Sequence, residues 1–114
     1  MHVRVRRADD VVLVDLSGEL VLGEGDETLR QVVDELVAEG WKKILLNLSH
    51  VDRLDSAGVG ELVSGWKLAQ KFGGSLRLLR LGDRARHTLH LSQILPLLKV
   101  YEEEAEALAD FAAT

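Results

Sequence analysis

The sequence predicts an α/β fold with a mixed sheet of four or five strands and about four helices. Two observations support this prediction. Apolar runs rich in valine and leucine alternate with amphipathic segments at helical spacing, and glycines mark most of the boundaries between them. With 114 residues, the chain is long enough to bury an independent core, so we expect a single domain over residues 1–114.

The first two predicted elements are the strands of an antiparallel hairpin. Residues 2–7 alternate charged residues with valine, residues 11–17 are rich in β-branched residues, and a short turn joins them. A helix follows, with Asp26 suited to its N-cap and Gly40 to the position after its last turn. Its apolar stripe consists of Leu29, Val32, Val33, Leu36 and Val37.

The second half of the chain continues the alternation of strand and helix. Residues 43–48 form an almost uninterrupted apolar run, which predicts a strand buried on both faces. A second helix is expected from about Ser56 to Phe72. The remaining predicted elements are strand 75–81, helix 83–91 with Pro96 beyond it as a break, strand 98–101 and helix 102–112. The resulting order, ββαβαβαβα, implies parallel strands joined by right-handed crossovers.

Composition argues against several classes of function. The net charge is −5 without a long basic run, and the pair Arg6–Arg7 is too short to predict a nucleic-acid surface. The absence of cysteine excludes disulfides, thiolate metal sites and cysteine nucleophiles, and is consistent with a cytoplasmic location. No apolar run approaches the length of a membrane span, so we expect no membrane partner.

Motifs for catalysis or cofactor binding are also missing. There is no phosphate-binding loop, and Val63 occupies the third glycine position of a dinucleotide fingerprint that would begin at Gly58 and Gly60. His87 and His90 would share a helix face, but no third ligand at a natural spacing supports a metal site. We therefore expect no enzyme activity, no cofactor and no metal.

The stretch DSAGVG, residues 55–60, joins the central strand to the second helix. Asp55 and Ser56 are both good N-cap residues, and a serine cap alone would stabilise the helix by about 1 kcal/mol. The small residues Ala57, Gly58 and Gly60 would instead leave the serine hydroxyl open to an approaching surface.

A second small patch, Ser64 and Gly65, follows two turns later. A glycine inside a helix costs roughly 1 kcal/mol relative to alanine, and a flat surface for close docking would explain its presence.

At this stretch the chain resembles the STAS domain family, and most closely its anti-sigma factor antagonists. The resemblance covers nearly the whole chain through the segments VVLVDLSGEL, ILLNLSHVDRLDSAGVGELV and GGSLRLLRL, and its specific element is DSAGVG. In that family, the serine that follows the aspartate is phosphorylated by a partner anti-sigma factor with serine kinase activity. The corresponding residue here is Ser56. The resemblance therefore implies a STAS domain that binds an anti-sigma factor and so regulates transcription that depends on a sigma factor.

We expect unmodified protein to sequester this partner, phosphorylation to release it, and a serine phosphatase to reset the switch. The predicted partner-binding residues lie in the loop before the second helix and on the helix itself: Asp55, Ser56, Ala57, Gly58, Gly60, Glu61, Ser64 and Lys67, with Lys71 as a further candidate.

Two departures from the family pattern concern this surface. Ala57 stands where serine or threonine often follows the phosphorylated serine, and the segment VLGEGDE, residues 21–27, is longer and richer in glycine than usual. We expect this loop near the same edge of the sheet, where it would influence the choice of partner.

Two alternatives remain at the level of sequence. One is a STAS scaffold or accessory subunit of a larger signalling or transport complex, which would bind its partner without a phosphate cycle. The other is a small nucleotide-binding protein or enzyme, for which the chain offers no phosphate loop.

Overall fold

Strands and helices alternate along the computed structural model, which describes residues 1–91 and 97–113. The strands are β1 (His2–Ala8), β2 (Val11–Leu20), β3 (Lys43–Leu54), β4 (Ser75–Leu79) and β5 (Val100–Tyr101). The helices are α1 (Asp26–Ala38), α2 (Ser56–Lys71), α3 (Asp83–Leu91) and α4 (Glu104–Ala112). The predicted order ββαβαβαβα is confirmed, whereas the predicted break at Pro96 lies outside the described residues.

The five strands form one mixed sheet in the order β1-β2-β3-β4-β5. β1 is antiparallel to β2, and all the other neighbours are parallel. The central position of β3 explains its apolar run, because residues 44–48 are all buried between helices on the two faces of the sheet.

β2 and β3 extend further than the sequence predicted. β2 reaches Leu20 and β3 reaches Leu54, and these two residues pair at the end of the parallel ladder. The second half of β3 contains Ser, His, Asp and Arg, which weaken its apolar pattern, but its pairing with β2 keeps it extended. Two register irregularities between β2 and β3 accommodate extra residues in β3. As a result, the start of α2 lies beside the end of β2.

Two hydrophobic clusters cover the two faces of the sheet. α1, α2 and α3 pack on one face around Leu29, Leu62 and Leu89. α4 packs on the other face through Ala107 and Phe111, both fully buried. The long helix that carries DSAGVG and the C-terminal helix therefore lie on opposite sides of the sheet.

Candidate functional site

The first turn of α2 is capped by Asp55. This residue has an extended backbone (φ −109°, ψ −174°), and its carboxylate accepts a hydrogen bond from the Gly58 N–H at 3.0 Å. Ser56 is the first residue of the helix itself. The serine-cap alternative is therefore wrong, because the neighbouring aspartate already satisfies the helix terminus.

The side chain of Ser56 is exposed beside this cap. Within the described part of the chain, its hydroxyl has no hydrogen-bond partner. It lies at the N-terminus of a 16-residue helix, where the helix dipole favours added negative charge. A serine in this position is accessible to another protein and is not needed to hold the helix together.

Asp55 also fixes the loop that follows β2. Its second carboxylate oxygen accepts a hydrogen bond from the Leu22 N–H at 3.0 Å. The backbone N–H groups of Leu22 and then Gly58 hold the pKa of Asp55 below its usual range, so the carboxylate is ionised at neutral pH. The glycine-rich loop is thus attached to the start of α2. It lies at the carboxyl ends of β2 and β3, which is the side of the sheet where we expected it.

The glycines of DSAGVG have two different roles. Gly58 is buried, and a Cβ atom there would lie 2.1 Å from the Leu20 carbonyl oxygen and 2.7 Å from Leu54 Cδ1. Gly60 is exposed, and a Cβ atom there would meet nothing within 4 Å. The expectation that Gly58 forms part of the docking surface is therefore wrong, since it allows α2 to approach the ends of β2 and β3. Gly60 alone leaves open space.

The expectation that Gly65 forms part of a docking surface is also wrong. Gly65 is buried, and a Cβ atom there would lie 3.2 Å from Leu76 Cδ1 and 3.4 Å from Val33 Cγ1. This glycine lets α2 pack closely on α1 and β4. Its neighbour Ser64 is exposed and faces solvent.

The remaining predicted positions form an exposed stripe along α2, which we call the outward stripe. Its members recur every three or four residues and so share one face of the helix: Ser56, Gly60, Ser64, Lys67 and Lys71. Ala57 is half-buried next to the stripe. With its small N-terminal half and its two lysines further along, the stripe suits docking against a flat protein surface.

Glu61 differs from the other predicted contact residues. Its carboxylate accepts hydrogen bonds from the Arg30 guanidinium of α1, one of them from Nε at 3.1 Å. Only 11% of the Glu61 side chain is exposed, compared with 59% of that of Arg30. Glu61 therefore links α1 to α2, and Arg30 is a residue of this surface that the sequence analysis missed.

The sequence also draws attention to Arg6 and to the pair His87 and His90. Arg6 bonds the carboxylates of Asp15 and Glu104, each at 2.7 Å, and so its charge is neutralised within the fold. His87 and His90 are exposed on α3, and the described residues contain no group of three or more acids and histidines placed to hold a metal. Among the helices of the described ranges, none has the length and apolar character needed to cross a membrane.

Comparison with known proteins agrees with this architecture. The family model described as "STAS domain" matches residues 2–107, and the chain belongs to this family. A Thermotoga neapolitana protein provisionally named an anti-sigma factor antagonist is 30% identical over 102 residues, covering 90% of each chain. The anti-sigma F factor antagonist of Paenibacillus polymyxa is 24% identical over 110 residues, covering 96% of this chain and 94% of that protein.

The fold likewise matches a solved structure of such a protein. An anti-sigma factor antagonist from Mycobacterium paratuberculosis superposes with a TM-score of 0.85 at 25% identity, over 96% of this chain and 92% of that one. The name of each of these three relatives describes it as an antagonist of an anti-sigma factor.

Proposed function

We propose that this STAS domain is an anti-sigma factor antagonist whose binding is switched by phosphorylation of Ser56. The observation that carries the proposal is that two neighbouring residues at the start of α2 have different roles. Asp55 caps the helix, and the Ser56 hydroxyl remains exposed and unbonded within the described residues. The names of the relatives support the class of partner.

In the unmodified state, the outward stripe from Ser56 to Lys67 docks on an anti-sigma factor in the cytoplasm and thereby frees a sigma factor. Ser56, Gly60, Ser64 and Lys67 make the contact, and the ends of Asp55, Ala57 and Glu61 border it. Gly60 permits the closest approach because no side chain covers the backbone there.

The same partner then acts as the kinase. The Ser56 oxygen bonds the γ-phosphorus of ATP, ADP leaves, and the hydroxyl proton passes to a base of the partner. This chain is the substrate of that reaction and supplies no catalytic residue. A serine phosphatase later hydrolyses the phosphate and restores the binding form.

The phosphate changes binding while leaving the fold intact. It adds a charge of about −1.5 to −2 at a helix N-terminus, where the dipole tolerates it. In a closed interface, however, the phosphate must lose its hydration next to the ionised Asp55 carboxylate. Each loss of about 1.4 kcal/mol of binding free energy lowers the affinity tenfold, so a modest desolvation penalty is enough to separate the partners.

Phosphorylation can be tested with the purified protein, ATP and anti-sigma factor kinases encoded in the same genome. Mass spectrometry should find one phosphate on Ser56. Ser56→Ala should receive none, whereas Ser75→Ala, which changes a half-buried serine paired with Lys43 at the opposite end of β3 from Ser56, should be modified like the wild type. A wild-type protein that stays unmodified by every active kinase would contradict the proposed switch.

Ser56→Asp separates an effect on binding from an effect on folding. We expect its affinity for the partner to fall about tenfold or more. Its thermal unfolding midpoint should remain close to that of the wild type, because the side chain is exposed at a helix terminus that favours an acid.

A further inference from the structure

The turn formed by residues 21–24 displays an apolar side chain next to the proposed phosphorylation site. Leu22 is 76% exposed, the largest exposed fraction of any large hydrophobic residue in the described ranges. An exposed leucine is common on protein surfaces and requires no explanation by itself. Leu22 differs from an ordinary exposed leucine because hydrogen bonds hold the backbone of its turn in place.

Every backbone N–H group of the turn is bonded. Val21 and Glu24 exchange N–H···O bonds of 2.9 Å in each direction, and these close the turn. The Leu22 N–H donates to Asp55 and the Gly23 N–H donates to Asp26, at 3.0 and 3.1 Å. The turn is therefore held by side chains from two different helix starts and is not a loose excursion of the chain.

The backbone on both sides of the turn has little freedom to rearrange. Gly25 has φ +95°, and a Cβ atom there would lie 2.3 Å from the Glu19 carbonyl oxygen, so no other residue fits. The Asp26 side chain that holds Gly23 is buried. Because the turn is already ordered, a partner that binds it loses little conformational entropy.

Asp55 places this turn beside the outward stripe. One of its carboxylate oxygens caps α2 and the other holds Leu22, so the same side chain positions the serine and the leucine. We propose that Leu22 is an anchor residue for the anti-sigma factor, which takes its side chain into an apolar socket. This inference rests on the proposed function, because it names a contact of the same partner.

The charges around the turn define the rim of that socket. Glu24 and Glu27 are exposed, and neither forms a salt bridge within the described residues. We expect lysine or arginine at the edge of the socket, facing the Glu24 carboxylate, since Arg30 of α1 already interacts electrostatically with Glu27. Interfaces gain most of their binding energy from a few residues that are fully buried near the centre, while charges at the rim mainly direct association.

The anchor can be tested by affinity measurements with the kinase that phosphorylates wild-type protein on Ser56. Leu22→Ser should weaken binding about tenfold or more. Leu22→Met, which keeps an apolar side chain of similar volume, should bind within about threefold of the wild type. The matched control is Phe72→Ser, which removes an exposed apolar side chain, 52% exposed, at the opposite end of α2.

Phe72→Ser should bind like the wild type, because 16 helical residues separate it from the turn by roughly 24 Å. Unfolding curves should show that all three variants are folded at the temperature of the binding assay. If wild-type protein is bound and phosphorylated but Leu22→Ser binds equally well, the anchor is refuted and the switch stands. If no kinase modifies the wild type, the proposed function fails and the anchor fails with it.

Discussion

At the scale of single residues, Asp55 contributes more than Ser56 to the structure of this surface. Its two carboxylate oxygens join the first turn of α2 to the turn that carries Leu22. Because the aspartate performs the capping, the serine beside it is not needed for stability. A residue that is structurally dispensable can be modified without unfolding the domain.

Gly58 and Gly60 allow a test that distinguishes packing from binding at this scale. Gly58→Ala should destabilise the protein by about 1–3 kcal/mol, since its Cβ would overlap the Leu20 carbonyl oxygen. Gly60→Ala should raise the free energy of unfolding by up to about 1 kcal/mol, because alanine is the better helix former in open space. Urea unfolding measures both effects.

The affinity for the partner shows whether Gly60 also takes part in binding. Gly60→Ala should weaken binding while the fold becomes more stable, because the added methyl group projects from the outward stripe. An unchanged affinity would remove Gly60 from the proposed contact surface.

At the scale of elements, α4 holds the face of the sheet opposite to α2. The Phe111 ring is fully buried, and the Arg77 guanidinium carbon lies 4.2 Å from its centroid. Arg6 attaches the first residue of the helix, Glu104, to β1. Because α2 and α4 lie on opposite faces of the sheet, we expect substitutions in α4 to change the free energy of unfolding much more than the affinity for the proposed partner.

Phe111→Ala tests this separation of the two faces. The loss of a buried phenyl ring should cost about 3–5 kcal/mol of unfolding free energy. Phe111→Leu should cost clearly less, because it fills most of the same space. At a temperature where both variants remain folded by circular dichroism, Ser56 should be phosphorylated at the wild-type rate. A loss of phosphorylation in the folded Phe111→Ala variant would show that the two faces are coupled.

At the scale of the whole molecule, several carboxylates stabilise the fold only in their ionised form. Asp15 accepts hydrogen bonds from the Arg6 guanidinium and from the Asn47 amide. These bonds, that of Arg6 first, lower the pKa of Asp15 despite its partial burial. The pKa values of Asp55 and Asp110 are lowered too, by backbone N–H groups and by the Tyr101 hydroxyl respectively. Acid should therefore weaken contacts within the sheet, at the start of α2, and between α4 and the sheet together.

The sign of this effect follows from linkage. A carboxylate whose pKa is lower in the folded state contributes stability that is complete above the unfolded pKa of about 3.9 and is lost as the pH falls through the folded value. We expect the thermal midpoint to be nearly constant from pH 7 to about pH 5 as far as aspartates are concerned, and to fall steeply below about pH 4.

Asp15→Asn should flatten this acid limb of the stability curve and lower the midpoint at neutral pH. The control Asp52→Asn also removes one acid, but from an exposed side chain that is in no salt bridge among the described residues. Equal pH profiles for Asp15→Asn and the wild type would argue against the Arg6–Asp15 pair as a source of acid sensitivity.

Patterns along the chain were sufficient for the order of the elements and for the edge of the sheet at which the serine lies. Apolar periodicity and glycine at the helix ends depend on neighbours a few residues apart, so they can be interpreted without knowledge of the fold. The ends of β2 and β3 were less predictable, because their polar residues stay extended only through pairing with each other.

The direction in which each small or charged residue of α2 faces was decided by the tertiary structure. Gly58 and Gly65 pack inward and Gly60 faces outward, although all three appear alike in the sequence. Asp55 meets Leu22 across 33 residues of chain. Such contacts depend on how two parallel strands end side by side, and no local pattern of residues encodes that distance.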